Sequence, residues 1–336
     1  MSTPQLKVGV IGLGVGEAHL RGYQDIEGCE IRSICDFDLD RLNEIGDRYG
    51  VDRRFEDYRR VTEDPEIDVV SICSYDDAHA EQVISAFRHD KHVMVEKPIA
   101  LHRSEAEDIF RAFEDSGKLL TSNFVLRESP RFIELKARID SGEFGKVYYM
   151  EGDYLHQILS KITEGWRGRM AFYCTLYGGG IHLIDLMRWL SGVEIVEVQA
   201  MGTDILVQNT TYTYDDTIVA LMKCSDGTLL KSATTFGPMR PKFHSLNVYG
   251  TNRTYVNELA SGQIYTGLSG DDVQAISGGY QGGDNKTVLL PDFISAIREG
   301  RKPLVSEVDV FRVMDICFTA WDALQKKCAV KVDYII

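Results

Sequence analysis

Residues 6–19 read Leu6-Lys7-Val8-Gly9-Val10-Ile11-Gly12-Leu13-Gly14-Val15-Gly16-Glu17-Ala18-His19. A short apolar run, Leu6–Ile11, enters a glycine-rich turn and leaves it as a helical pattern over 17–25. Strand, turn and helix in that order open a dinucleotide-binding βαβ unit. The glycines permit a tight turn and let backbone approach a pyrophosphate, which then rests at the helix N-terminus. Gly12 and Gly14 match the first two positions of G-x-G-x-x-G; the third falls on Glu17, and Gly16 is one residue early. Taken alone, these residues also fit a strand–turn–helix with no ligand.

Working outward, the next strand, 31–35, ends in Asp36, 22 residues after Gly14. That is close to the roughly 20-residue offset of a ribose-binding acid. A carboxylate there accepts hydrogen bonds from ribose hydroxyls and repels a 2′-phosphate, which favours NAD over NADP. The alternative role for Asp36 is an N-cap on the helix Leu39–Tyr49, but Asp38 can supply that cap. Further strands at 68–73, 92–96 and 119–124 alternate with helices at 78–89 and 104–116. Near-continuous apolar strands separated by helices predict a buried parallel sheet covered on both faces.

After about residue 125 the pattern changes. A helix, Pro130–Asp140, precedes an aromatic strand at 147–154, a glycine-rich turn and a strongly apolar helix at 180–190. Asp226-Gly227 joins Thr217–Cys224 to 228–236 as a hairpin signal. The strands 228–236 and 243–249 are expected to be neighbours, and helices at 292–299 and 308–324 close the chain. The fold class is therefore α/β, with a Rossmann dinucleotide-binding domain over 1–124. An α+β domain on a mostly antiparallel sheet follows over 125–336.

Composition sets the outer limits. A chain of 336 residues is long enough for roughly two domains and for a core without disulfides or metals. Lys and Arg number 37 against 51 Asp and Glu, a formal charge of −14. That balance argues against nucleic acid or an anionic membrane as partner, while leaving room for a small basic pocket. No apolar run approaches the roughly 18 residues of a membrane span. MSTPQLKVGVIG lacks a charged n-region followed by a cleavable apolar stretch. The seven cysteines show no C-x-x-C pairing and read as reduced, mostly buried thiols of a cytoplasmic protein with no metal site.

Two further stretches carry chemistry. Lys97, in His92-Val93-Met94-Val95-Glu96-Lys97-Pro98, follows an apolar strand and so sits at the sheet edge where ligands bind. Pro98 biases its backbone away from the helical region. A solvent-exposed strand-end lysine is the alternative. In Gly178-Gly179-Gly180-Ile181-His182-Leu183-Ile184-Asp185, His182 and Asp185 share a helix face among apolar neighbours. Buried, they need partners: either each other and the backbone, or a ligand that the three glycines let approach. The glycines favour a site. Tyr154 and His156 end the aromatic strand. Arg167 and Arg169 beside Trp166 can hold an anion and stack on a ring, or belong to a plain surface loop.

The glycine-rich opening, Ser74-Tyr75-Asp76-Asp77-Ala78-His79, Glu96-Lys97-Pro98 and the Gly-Ile-His-Leu-Ile-Asp helix occur in this order over almost the whole chain. In this the chain resembles the Gfo/Idh/MocA-type oxidoreductases, relatives of glucose–fructose oxidoreductase and inositol dehydrogenase. The resemblance implies a C-terminal domain with a large open sheet that makes homodimer or homotetramer contacts. It also implies nicotinamide chemistry on a small sugar, cyclitol or nucleotide sugar. It places Gly12, Leu13, Gly14, Val15, Gly16, Asp36, Ser74, Tyr75, His79, Glu96, Lys97 and Asn123 at the cofactor. Lys97, Tyr154, Trp166, Arg167, His182 and Asp185 fall at the substrate, with Lys97 and His182 catalytic. Two departures stand out: Ser74-Tyr75-Asp76 replaces the family's Thr-Pro-Asn, and Gly178 stands where many members carry an aspartate that contributes to catalysis.

The expected reaction is reversible oxidation of a secondary alcohol. The ammonium of Lys97 and the imidazole of His182 would converge on one oxygen beside the nicotinamide. An imidazole suits proton transfer at neutral pH, and Lys97 would orient the hydroxyl or, if desolvated, act as the base itself. The alternatives are a redox-assisted sugar elimination or glycoside cleavage, and a non-catalytic NAD-binding regulator.

Overall fold

The structure, a computed structural model, describes residues 5–276, 278–280 and 285–336. The apolar runs of the first third form β1 (Leu6–Ile11), β2 (Cys29–Cys35), β3 (Arg54–Phe55), β4 (Val69–Ile72), β5 (His92–Val95) and β6 (Leu120–Ser122). They make a six-stranded sheet in the order β3-β2-β1-β4-β5-β6, every pair parallel. Val8, Val10, Val69, Val70, Val93 and Met94 are fully buried, as strands covered on both faces require. Parallel strands need crossovers. These are α1 (Gly16–Gln24), α2 (Leu39–Tyr49), α3 (Arg59–Thr62), α4 (His79–Arg88) and α5 (Arg103–Ser116). The Asp38 carboxylate caps α2 by accepting the Arg41 N–H at 3.1 Å, and Glu105 accepts the Leu101 and His102 N–H groups at the start of α5. Strand order reverses between β1 and β4, so their carboxyl ends flank the crevice where open α/β sheets bind ligands.

The second sheet has nine strands. They are β7 (Val147–Leu155), β8 (Ile195–Thr203), β9 (Thr217–Cys224), β10 (Leu229–Thr235), β11 (Phe243–Gly250), β12 (Thr254–Asn257), β13 (Gly262–Tyr265), β14 (Val273–Ile276) and β15 (Val330–Lys331). Their order is β14-β13-β12-β11-β7-β10-β9-β8-β15. Only β7 and β10 pair in parallel; the other pairs are antiparallel. Burial alternates along the strands: Met150, Gly152 and Tyr154 on β7 and Ile218, Ala220, Met222 and Cys224 on β9 turn inward. The Asp226-Gly227 hairpin between β9 and β10 forms as its sequence implies. Gly227 has φ +92°, which favours glycine, and the Asp226 carboxylate accepts the Thr228 N–H at 2.9 Å. The expected adjacency of 228–236 and 243–249 is not observed, because β7 lies between β10 and β11. Strands lie about 4.8 Å apart, so the connection 237–242 can cross the end of one intervening strand, and its length does not distinguish the two topologies. Helices α6 (Pro130–Asp140), α7 (Leu159–Thr163) and α8 (Ile181–Ser191) belong with this sheet.

Two more helices follow, α9 (Leu290–Glu299) and α10 (Glu307–Lys326). The chain divides into two compact units. One comprises Met1–Asn123, Asn285–Arg312 and Ile335–Ile336; the other comprises Phe124–Asp284 and Val313–Tyr334. The sequence reading divides the chain once, into 1–124 and 125–336; the structure differs in returning Asn285–Arg312 to the first unit. Gly22 of α1 makes the room. A side chain there would stand 2.8 Å from both Leu290 and Thr287. Arg298 also donates to the Glu27 carbonyl at 2.7 Å and the Thr121 hydroxyl to the Val305 carbonyl at 2.8 Å. An amphipathic pattern shows that a helix has a core-facing stripe, not which core it faces.

Five of the seven cysteines are buried, Cys29 is half-buried and Cys328 is exposed, all as free thiols. Among the described residues no helix is long and apolar enough to cross a membrane, and no group of three or more His, Cys, Asp or Glu side chains could hold a metal ion.

A buried ion pair ties the second unit together. Arg127, in the turn before α6, donates through Nε and Nη2 to the two carboxylate oxygens of Asp185 on α8, at 3.0 and 2.6 Å. Both side chains are buried. Removing one partner of such a pair leaves an uncompensated charge, so Asp185→Ala is expected to destabilise the protein by about 3–5 kcal/mol in denaturant titrations. Replacing both partners, as Arg127→Met with Asp185→Leu, is expected to lose much less.

Candidate active site

In the first unit the glycine turn leaves β1 at a close crossing. Gly12 has φ +82°, and a Cβ there would stand 2.5 Å from the backbone nitrogen and Cα of Ser74. Gly16, buried at the start of α1, meets Val10 and Cys73; its Cβ would be 2.9 Å from Val10 Cγ1. It therefore serves the helix–strand packing assigned to the third fingerprint glycine, although it is one residue early. Gly14 differs, because a Cβ there meets no protein atom within 4 Å. Gly14 and Val15 are exposed, and no side chain caps α1. Bare backbone facing open space at an uncapped helix start fits a pyrophosphate.

Asp36 is buried beside this turn. Its Oδ2 accepts the Leu13 N–H at 2.7 Å and its Oδ1 accepts the Asp38 N–H at 2.9 Å. The α2 cap belongs to Asp38, as the sequence suggests. Each carboxylate oxygen has a second lone pair, so Asp36 can shape the loop and still accept ribose hydroxyls. Arg41 Nη1 lies 4.0 Å from Oδ2. The exposed ring of Phe37 meets Tyr75 edge-on at 5.4 Å. Sequence reasoning passed over Phe37, whose signal was its place directly after the acid.

Ser74 and His79 are engaged with the protein itself. The Ser74 hydroxyl donates to Gln82 Oε1 at 2.7 Å. His79 is fully buried, with Nδ1 2.7 Å from the Pro98 carbonyl and Nε2 3.2 Å from the Ser74 carbonyl. Both partners are acceptors, so a neutral ring satisfies one and the imidazolium both. His79 thus ties the loops after β4 and β5 together through their backbones.

Glu96 and Asn123 meet in a buried polar cluster. Asn123 Nδ2 donates to Glu96 Oε1 at 2.8 Å and to the Lys286 carbonyl at 3.0 Å. His19 completes it: Nε2 is 3.4 Å from Glu96 Oε1, and Nδ1 faces Ser71 Oγ at 2.8 Å and Cys73 Sγ at 3.4 Å. Burial alone would raise the Glu96 carboxyl. The His19 hydrogen bond and the charges of Lys286, His19 and Lys97 outweigh it and hold the group well below the usual carboxylate range. Burial likewise opposes charge on His19, but Cys73 and Glu96 prevail and raise the imidazole to about 10. Half-buried Lys97 follows directly on the strand end, its peptide to Pro98 cis. Sequence reasoning missed His19, whose only signal was a histidine on the inward side of α1.

In the second unit the glycines before α8 receive side chains of the protein. A Cβ at Gly178 would stand 1.9 Å from the Tyr173 hydroxyl, one at Gly179 2.6 Å from the Tyr154 ring, and one at Gly180 2.3 Å from Thr234 Oγ1. The expected opening for a ligand along this triplet is thus filled by protein. His182 is 6% exposed. Its ring stacks on Tyr154 at 6.4 Å and 21° and meets His244 edge-on at 5.9 Å. The Tyr154 hydroxyl is 3.0 Å from His156 Nδ1, and His244 Nδ1 is 2.6 Å from the Tyr280 hydroxyl. Asp185, expected at the substrate, gives both oxygens to Arg127 without solvent exposure; a buttress of α8 describes it better. Arg167 lies over Trp166 with Cζ 4.1 Å from the ring centroid, and 5.8 Å from that of Tyr173. His244, Tyr280, Arg127 and Tyr173 carried no local signal, since only strand and loop packing bring them in.

Comparison with known proteins bears on both units. A family model described as oxidoreductase family, NAD-binding Rossmann fold, matches residues 6–124. A second, the GFO/IDH/MocA C-terminal domain, matches residues 132–256. The myo-inositol 2-dehydrogenase of Thermotoga maritima is 25% identical over 344 residues, spanning 98% of this chain and 100% of its own. The scyllo-inositol 2-dehydrogenase (NAD(+)) of Bacillus subtilis is 26% identical over 343 residues, spanning 98% and 97%. Among solved structures, a levoglucosan dehydrogenase in complex with NADH superposes with TM-score 0.89 at 23% identity, over 98% of this chain and 100% of that one. That likeness is one of fold.

The His19–Glu96 pair gives stability a defined pH dependence. A raised imidazole contributes fully below its unfolded value near 6.5 and loses that contribution as pH climbs toward about 10. A depressed carboxyl contributes above its unfolded value near 4.5 and loses it as pH falls. The thermal midpoint of the wild type should therefore fall from pH 6.5 to 10 more steeply than that of His19→Gln. Parallel slopes in scanning calorimetry would show that the pair is not charged.

Proposed function

Since the chain belongs to the Gfo/Idh/MocA oxidoreductase family, whose N-terminal and C-terminal models it matches in turn, we propose that it reversibly oxidises a secondary alcohol of a cyclitol or sugar with NAD. The observation that carries this reading is the glycine turn, where Gly14 alone has open space at its side-chain position beside the buried carboxylate of Asp36. The names of the two relatives that match along their whole length, both inositol dehydrogenases, support a cyclitol or similar polyol.

NAD, when bound, supplies the hydride acceptor, and NADH the donor. Backbone from Gly12 to Gly16 and the start of α1 hold the pyrophosphate. Asp36 accepts the ribose hydroxyls on its remaining lone pairs and disfavours a 2′-phosphate, so NAD is preferred to NADP. Glu96, kept ionised by His19 and Asn123, sits directly before Lys97 and favours its charged form. Lys97 then orients the substrate hydroxyl and stabilises negative charge on its oxygen. His182 accepts the hydroxyl proton, since a neutral imidazole suits that role near neutral pH. Tyr154, Trp166 and Arg167 contact the sugar-like substrate, and Asp185 remains with Arg127. We place the protein in the cytoplasm as a homodimer or homotetramer built on the second sheet, whose outward face exposes Met201, Leu221 and Leu229.

Two variants test these roles. Lys97→Met is expected to lower turnover of a cyclitol such as myo-inositol by about 10²–10⁴, while NAD affinity in a fluorescence titration stays close to wild type. Normal turnover would remove Lys97 from the mechanism. Asp36→Ala is expected to weaken NAD and to narrow the preference over NADP, by the ratio of kcat/KM values. An unaltered ratio contradicts the role given to Asp36.

A further inference from the structure

Gly178 lies about one helical turn before His182, on a segment that runs from a π-helical turn, Leu176–Gly180, into α8. Residues so spaced share a face. Helical side chains lean toward the N-terminus and cover the preceding turn, so the His182 ring leans toward the turn that contains Gly178. The space a side chain at 178 would take holds the Tyr173 phenol, whose hydroxyl oxygen is 1.9 Å from an ideal Cβ there and whose Cζ is 2.8 Å away.

Tyr173 is 2% exposed and held from several sides. Its ring packs 6.4 Å from those of Tyr212 and Phe236, the Tyr212 hydroxyl donates to its carbonyl at 3.3 Å, and Arg167 lies 5.8 Å from its centroid. The other polar aromatics against His182 have near partners of their own. The Tyr154 hydroxyl lies with His156, and His244 Nδ1 with the Tyr280 hydroxyl.

We infer that Tyr173 is the positioning residue for His182: its phenol oxygen accepts a hydrogen bond from one imidazole N–H and so presents the lone pair of the other nitrogen to the substrate hydroxyl. This rests on the reading of His182 as proton acceptor. It follows the general logic by which a second group fixes the tautomer of a histidine base. The glycine at 178 is then a requirement of the arrangement, since any side chain there would displace the phenol oxygen.

Tyr173→Phe keeps the ring and removes the oxygen. In full-length protein labelled with [13C,15N]histidine, the His182 signal is identified by its loss in His182→Gln. In Tyr173→Phe that signal should titrate at lower pH than in wild type, because an acceptor that favours the imidazolium has gone. Its tautomer balance should shift as well. With NAD and a cyclitol, kcat should fall about 10–100-fold with KM little changed. The acidic limb of the kcat/KM profile should move down in pH with the NMR titration. Gly178→Ala, which leaves Tyr173 in place but puts a methyl group where its oxygen sits, should reproduce both effects, and the two changes should combine less than additively. Unchanged titration and tautomer of His182 in Tyr173→Phe overturn the inference. Absence of NAD-linked turnover in the wild type would instead overturn the proposed function, and the ring titration would still decide whether Tyr173 holds His182.

Discussion

No side chain fits at residue 12. The backbone of Ser74 lies 2.5 Å from where a Cβ would be, so the ends of β1 and β4 can approach only because a hydrogen stands there. From that approach the rest of the first unit's chemistry is set. Leu13 turns its N–H onto Asp36, Gly16 settles α1 against Val10 and Cys73, and α1 then carries His19 inward to Glu96. The loop after β4 is fixed from its other side by His79, whose ring reaches the carbonyls of both Ser74 and Pro98. One packing constraint thus positions a carboxylate, an uncapped helix start and the residue pair Glu96-Lys97.

The glycines before α8 obey the same physics to a different end. At 178, 179 and 180 the missing side chains admit a phenol oxygen, an aromatic ring and a threonine hydroxyl from the same unit. The surroundings of His182 are consequently rings and hydroxyls, with Tyr154 stacked on it and His244 at its edge. The nearby carboxylate of Asp185 is spent on Arg127. Glycine in a sequence announces a close approach without saying what approaches.

Much of the fold was legible where local chemistry marks both ends of an element. The bounds of β1, α2, α6 and β9 match the sequence reading, because charged, capping or turn residues flank each apolar pattern, as Asp38 and Gly50 do for α2 and Asp226-Gly227 does beyond β9. Lys97 and Glu96 were legible because a strand end followed by Pro98 defines a place in an α/β sheet. What escaped depends on contacts remote in sequence. The insertion of β7 between β10 and β11 leaves no trace in a six-residue connection. Arg127, His244 and Tyr173 sit in unremarkable stretches, and only the folded chain brings them to Asp185, to the ring of His182 and to Gly178.

The return of Asn285–Arg312 to the first unit has a bearing on synthesis. During translation the β-strands of the dinucleotide-binding sheet emerge early, yet α9, which covers Gly22 on α1 through Leu290, leaves the ribosome only after nearly the whole chain. Until then the outer side of α1 lacks its cover, and Asn123 lacks the Lys286 carbonyl it donates to. The intervening segment therefore has time to assemble its own nine-stranded sheet while the nucleotide fold waits, open, for its last helix.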